Sequence, residues 1–270
     1  MCSEKMSNQS QKQSTNCLML ASSYGACFET CKRDTMLPLT ICANRATGLL
    51  QNLYCDDNGA LGIKKTADTW DQELFQITTC GKRIVIQDFS CIIINIFMPL
   101  DLPKILQSGS SRSSPLPPYS RSILSEIIKN QDKLVSAIKS YKSWLKIFDK
   151  SHLKSPIYYL ANPFTTLFKK NTNNTKQDIA NIGNCLQNVT HIMHDEYGID
   201  LILPEANMLC NGLYVREHFG QPDRYRDWKT LHASKPTGRD LIHKNKFYGE
   251  RMYSIIKDRI SVTSSHGKLL

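Results

Sequence analysis

Apolar positions change their spacing at one place in the chain. Upstream of residue 107 the apolar runs are brief and bounded by turn residues, the pattern of strands. LLQNLYC and ALGIKK flank Asp57-Asn58-Gly59, where Asn and Gly accept the positive φ angles of a tight hairpin. In ELFQITT, Leu74, Gln76 and Thr78 alternate with Phe75, Ile77 and Thr79, a period of two that predicts a strand. A turn at Cys80-Gly81 leads to KRIVIQDF. The most apolar run, CIIINIFMPL from Cys91 to Leu100, is far shorter than the ~20 residues that span a bilayer, so it predicts a buried strand. Residues 17–106 read as a Cys-containing, mostly-β domain behind a polar tail, residues 1–16.

Residues 107–121 contain QSGSSRSSPLPPY, whose Gly, Ser and Pro break regular structure and predict a linker. Arg112, Pro115 and Pro118 also fit the polyproline ligand of an SH3-type partner, although a plain spacer is the simpler reading. Helical spacing follows. Leu124, Ile127, Gln131, Leu134, Ile138, Tyr141, Leu145 and Phe148 step by three and four, a heptad seam with one polar entry. Ile128 and Val135 widen it beyond a strict seam. The helix of residues 122–150 is therefore expected to pack within its own chain. A coiled-coil homo-oligomer is the alternative.

Residues 151–270 predict a basic α+β domain. Asp178 to Leu186 reads as a short helix. NVTHIMHDEYGIDLIL reads as strand, turn at Glu196-Tyr197-Gly198, strand. Pro204 can open a further helix carrying Ala206, Leu209, Cys210 and Leu213. The fold class expected for the whole chain is α+β: a mostly-β N-terminal domain, an amphipathic linker helix and a basic mixed C-terminal domain.

Composition supports a folded protein. Of 270 residues, 41% are hydrophobic and 21% charged, enough for a core and unlike a disordered chain. The formal charge is +10, and residues 120–270 hold 23 of the 34 basic but 14 of the 24 acidic residues. Positive charge thus concentrates in the second half and points to polyanionic partners. The N-terminus lacks the apolar core of a signal peptide, so the expectation is an intracellular protein with no membrane partner. In that setting the ten cysteines, eight of them between Cys2 and Cys91, are expected to be buried free thiols.

Complete catalytic signatures are missing. GxxxxGK[ST] does not occur, and no GxGxxG follows a strand. On a strand, His191 and His194 would point to opposite faces, so no metal site is expected. Asp56-Asp57 and Asp195-Glu196 sit at predicted turns, where acids serve the backbone. Cys185 or Cys210 could pair with His191, His218 or His232 as nucleophile and base, but no local motif marks either thiol.

The densest constellation lies between Arg216 and Lys268, with 12 basic and 6 acidic residues. Phe219, Tyr225, Trp228, Phe247, Tyr248 and Tyr253 interleave with them. Basic side chains neutralise phosphates, and aromatic faces stack on exposed bases. The order of GIDLILPEANMLC, RYRDWKTL and TGRDLI resembles the KilA-N DNA-binding domain of viruses and phages. Ala206, Leu209 and Cys210 match that family's first helix, Trp228 its tryptophan, and Thr237, Leu241 and Ile242 its last helix. Glu205 and Asn207 stand where that family has Asn and Thr, and Leu213 to Pro222 resembles an insertion. The resemblance implies basic helices on DNA and a viral or phage-like origin.

The leading expectation is nucleic-acid binding, DNA first, through Arg224, Arg226, Lys229, Arg239, Lys244 and Lys246. Tyr225 and Trp228 would stack or pack. No cofactor is required. An assembly protein built on the 122–148 helix is the second reading. The third is an enzyme whose site forms only in three dimensions.

Overall fold

A computed structural model describes residues 16–21, 23–43, 52–95, 119–132, 156–160, 176–210, 214–221 and 240–266, with helical backbone also at 135, 136, 138, 139 and 142. Strand β1 (Cys17–Ala21) leads into a 3-10 helix (Ser23–Arg33) and β2 (Leu39–Ala43). A hairpin of β3 (Leu53–Cys55) and β4 (Ala60–Ile63) precedes α1 (Thr69–Thr79), β5 (Ile84–Val85) and β6 (Cys91–Asn95). Then come α2 (Arg121–Lys129), β7 (Ile157–Leu160), α3 (Lys176–Tyr197) and β8 (Asp200–Ile202). Two antiparallel pairs follow: β9 (Leu209–Cys210) with β10 (Tyr214–Val215), and β11 (Gly220–Gln221) with β12 (Asp240–Lys244). Helix α4 (Lys246–His266) comes last. The chain combines helices and strands, in keeping with the α+β class.

The main sheet is parallel throughout, in the order β2-β1-β6-β7-β8. Its strands are near-continuous apolar runs, CLMLA, LTICA, CIIIN and IYYL among them, because both faces of such a sheet are covered. Every residue of β1 and β6 is buried. The sheet takes β1, β2 and β6 from before residue 107 and β7 and β8 from after residue 150, so one core spans the linker. This is the 2-1-3-4-5 order of doubly wound sheets. Its turning point lies between β1 and β6, where ligands characteristically bind at the carboxyl ends of the strands.

Several expectations change. The Asp57-Asn58-Gly59 hairpin forms, with Gly59 at φ 72°, but ELFQITT is helical. The Asp68 side chain accepts from the Asp71 amide at the start of α1. Cys80 in the left-handed region and Gly81 close its other end. Leu74, Phe75 and Thr78 share its buried side, so helical periodicity outweighs the alternation over seven residues. Cys17 and Cys91 form a disulfide between register partners on β1 and β6, against the expectation of free thiols. The other described cysteines form no disulfide.

The 122–148 helix is interrupted. Helix α2 ends at a turn at Asn130, whose side-chain amide donates to the Glu126 carbonyl, and helical backbone resumes at residue 132. Leu124 and Ile128 are buried where α2 packs on α3 within the chain. Arg121 pairs with Asp195 at 2.5 Å, and the Ser125 hydroxyl donates to Glu196. The His191–His194 segment continues α3 rather than forming a strand. Its buried positions, Ile182, Cys185, Leu186, Val189, Ile192 and Met193, keep a three-and-four spacing up to Gly198, φ 67°. The segment after Pro204 makes a 3-10 turn (Ala206–Met208) and the β9–β10 hairpin, not the helix that Ala206, Leu209 and Cys210 suggested. Leu241 and Ile242 lie on a strand.

Candidate active site

At the carboxyl end of β1, Ala21 stands in register with Asn95 of β6. The 3-10 helix starts two residues later, at Ser23. The turn is tight: a Cβ on Gly25 would lie 2.3 Å from the Ala21 Cβ. Serine on a sharp strand-to-helix turn at a sheet's carboxyl edge is a setting that presents a hydroxyl to a substrate. One strand over, Asn95 is 1% exposed, and its Oδ1 has no hydrogen-bond partner among the described residues. Buried amide oxygens are nearly always satisfied, so an unpaired one at this edge is unusual.

Helix α4 brings the C-terminal part of the chain to this edge. Gly249 abuts the 3-10 helix so closely that a Cβ there would lie 1.9 Å from the Cys27 carbonyl oxygen. Further along, the Tyr253 hydroxyl donates to the Leu37 carbonyl, and Lys257 Nζ lies 2.6 Å from Asp34 Oδ2. Contacts advance together along both helices, Gly249 by Cys27 and Lys257 by Asp34, so the helices run parallel. Their N-termini are therefore neighbours. The Lys257 ammonium holds the Asp34 carboxyl below its ordinary range, and burial pushes the Cys31 thiol up to about 12.

Asn245 fixes the entry to α4. Its Oδ1 accepts from the Tyr248 amide at 3.2 Å, while its Nδ2 donates to the His218 carbonyl at 2.6 Å. Strand β12 ends immediately before it and packs on the 3-10 helix. Gly220 pairs with Lys244 but Gln221 pairs with Asp240, so Leu241, Ile242 and His243 form an extra stretch without register partners on β11. Bulges of this kind re-aim side chains and are common beside active sites. The topology thus places the start of the 3-10 helix and Asn95 at one end of β1, with β12 packed on that 3-10 helix.

Of the residues expected to bind nucleic acid, Arg224, Arg226, Trp228, Lys229 and Arg239 lie outside the described residues, as do Tyr225 and the linker's Arg112, Pro115 and Pro118. Lys244 closes β12. Lys246 opens α4, exposed, its Nζ 5.2 Å from the centre of the Phe247 ring. The thiol alternatives gain nothing. Burial raises the Cys185 thiol, which lies within α3, and Cys210 is separated from His218 by the β9–β10 hairpin. Sequence reasoning passed over Ser23, Asn95 and Asp240. It gave His243 no role. A signal was present: Ser22-Ser23 directly follows the apolar run CLMLA, and Asp240 and His243 precede Asn245 and Gly249 at short spacing.

No protein-family model and no curated protein matches the sequence. Among solved structures, the fold is similar to that of a candidate acylhydrolase from Bacteroides fragilis NCTC 9343, with a TM-score of 0.42 and 8% identity over 93% of this chain and 89% of that one. A likeness at that level assigns no activity.

Proposed function

We propose that the chain is a serine hydrolase acting on acyl esters. One juxtaposition supports the reading: Ser23 opens the 3-10 helix just after β1, Asn95 stands in register with Ala21 at that end of the sheet, and β12, which carries Asp240 and His243 in its sequence, packs on the same 3-10 helix. Nucleophile–base–acid sets are recognised by geometry and role rather than by chain order. In the proposed reaction Ser23 Oγ attacks the ester carbonyl while His243 takes its proton. The Asn95 Nδ2 donates a side-chain hydrogen bond to the developing oxyanion. His243 then returns the proton to the departing alcohol. Water, deprotonated by His243, releases the acid from Ser23. Asp240 holds the imidazole in the tautomer that accepts at its other nitrogen.

Labelling of the full chain with a fluorophosphonate tests this directly. The expected result is one adduct on Ser23, none in Ser23→Ala, and hydrolysis of p-nitrophenyl butyrate that disappears with it. Asn95→Ala should lower kcat about 10²–10³-fold, the scale of losing one oxyanion donor, with circular dichroism used to confirm that the fold is retained. A wild-type chain that takes no label and hydrolyses no ester, or a Ser23→Ala chain that still does, would sink the reading.

A second proposal keeps nucleic acid, DNA first, as partner of the basic second half, supported by the charge of residues 120–270. Binding of the full chain to duplex DNA should weaken steeply with salt. Failure to bind at low ionic strength would remove it.

A further inference from the structure

A cavity of about 480 Å³ opens beyond β8, at the far end of the sheet order from β2. Leu186 of α3, Leu203 just after β8, and Leu209 of β9 give it apolar walls. Gly183 forms part of its lining where α3 passes, and a Cβ there would meet nothing within 4 Å. The volume falls in the ~300–1,000 Å³ range of small-molecule sites.

Arg216 is the one charged residue of the lining among the described residues. Its Nε donates to the Leu209 carbonyl at 3.1 Å, and its backbone amide donates to the Met208 carbonyl at 3.0 Å. Both bonds hold the guanidinium against the wall. Among the described residues no carboxylate pairs with it. The terminal nitrogens therefore remain available as a planar fork, the geometry that takes a carboxylate bidentately.

We propose that this cavity binds a free single-chain carboxylate, its aliphatic chain against Leu186, Leu203 and Leu209 and its head on Arg216. One cation beside otherwise apolar walls suits a ligand with a single anionic end. A nucleotide would bring several charges and a polar base that the lining cannot satisfy, and burying unpaired polar groups is costly. The site is separate from the end of β1 and does not depend on the hydrolase reading.

Calorimetry on the full chain, with decanoate and decanol below their aggregation limits, tests the assignment. Saturable one-to-one binding of decanoate is expected, with decanol at least tenfold weaker. Arg216→Gln should weaken decanoate at least tenfold. Gly183→Leu should abolish binding by filling the cavity, since a Cβ there meets nothing within 4 Å, and leucine has better helix propensity than glycine. Ser23→Ala should bind as the wild type does, which separates this site from the proposed catalytic one. Equal affinity for decanol, an undiminished affinity in Gly183→Leu, or binding lost in Ser23→Ala would each overturn the proposal. So would association with anionic phospholipid vesicles in the absence of any decanoate binding. The decanoate–decanol comparison uses only the wild-type chain, so it stands even if a variant folds poorly.

Discussion

Two glycines in long helices have opposite reasons for being glycine. At Gly249 a methyl group would sit 1.9 Å from the Cys27 carbonyl oxygen and 2.5 Å from its carbon. Both are backbone atoms that cannot swing aside. Alanine's advantage in a helix is worth about 1 kcal/mol over glycine, while forcing two packed helices apart costs about 1–3 kcal/mol and sometimes more. Gly249→Ala should therefore lower the urea midpoint. Gly183 faces open space, so only propensity acts there, and Gly183→Ala should raise stability by about 0.5–1 kcal/mol. A chain in which both changes act alike would show that α4 does not lie as close to the 3-10 helix as described. Asp34 gives the same junction a pH signature. Lys257 depresses its folded carboxyl below the ordinary 3.8, so its contribution is complete above that value. It is lost as pH falls through the lower folded value, where the folded state takes up its proton. Urea midpoints followed from about pH 6 to about pH 2 should decline less steeply in Lys257→Met than in the wild type.

At the scale of elements, legibility depended on how many turns of pattern a segment carries. CIIIN was read correctly because an unbroken apolar run with β-branched residues suits a strand covered on both faces. ELFQITT has seven residues, too few to separate a period of two from one of 3.6. What decides it lies outside the segment, in Asp68 at one end and Cys80-Gly81 at the other. Asp68→Ala should accordingly cost about 1 kcal/mol through loss of the bond to the Asp71 amide, measurable by thermal melting, whereas a strand would be indifferent. In α3, Thr190 and Val189 suggested a strand, yet the apolar stripe from Ile182 to Met193 keeps helical spacing. Tertiary burial of that stripe overrides the modest propensity cost of branched residues. The candidate site was less legible for a different reason. Ser23, Asn95, Asp240 and His243 are scattered over more than two hundred positions. The parallel sheet relates Ser23 to Asn95 only once its strand order is known, and Asp240 and His243 lie on β12, outside that sheet. Charge density, by contrast, is visible locally, which is why the Arg216–Lys268 stretch dominated the reading of the sequence.

At the scale of the molecule, the linker at residues 107–121 does not mark a break in the main sheet. Strand β6 lies upstream of it, yet pairs with β1 on one side and with β7 on the other, Ile92 to Ile94 matching Ile157 to Tyr159. Removing everything after residue 121 would strip β7 and β8 away and leave an interior strand of sequence CIIIN as an edge. Exposed apolar edges of this kind pair with other chains rather than stay monomeric. The same cut removes α4, whose Tyr253 and Lys257 hold the 3-10 helix and the approach to β2. Residues 1–121 expressed alone should aggregate or show no cooperative unfolding, and residues 122–270 alone should fare no better, lacking β1 and β6. Co-expressed, the two pieces should form a soluble complex, because the described strands of the main sheet all lie outside residues 107–121. Proteolysis at the linker of the intact protein should likewise leave the halves associated through gel filtration. Cooperative melting of residues 17–106 by themselves would establish an autonomous N-terminal domain and refute a core shared across the linker.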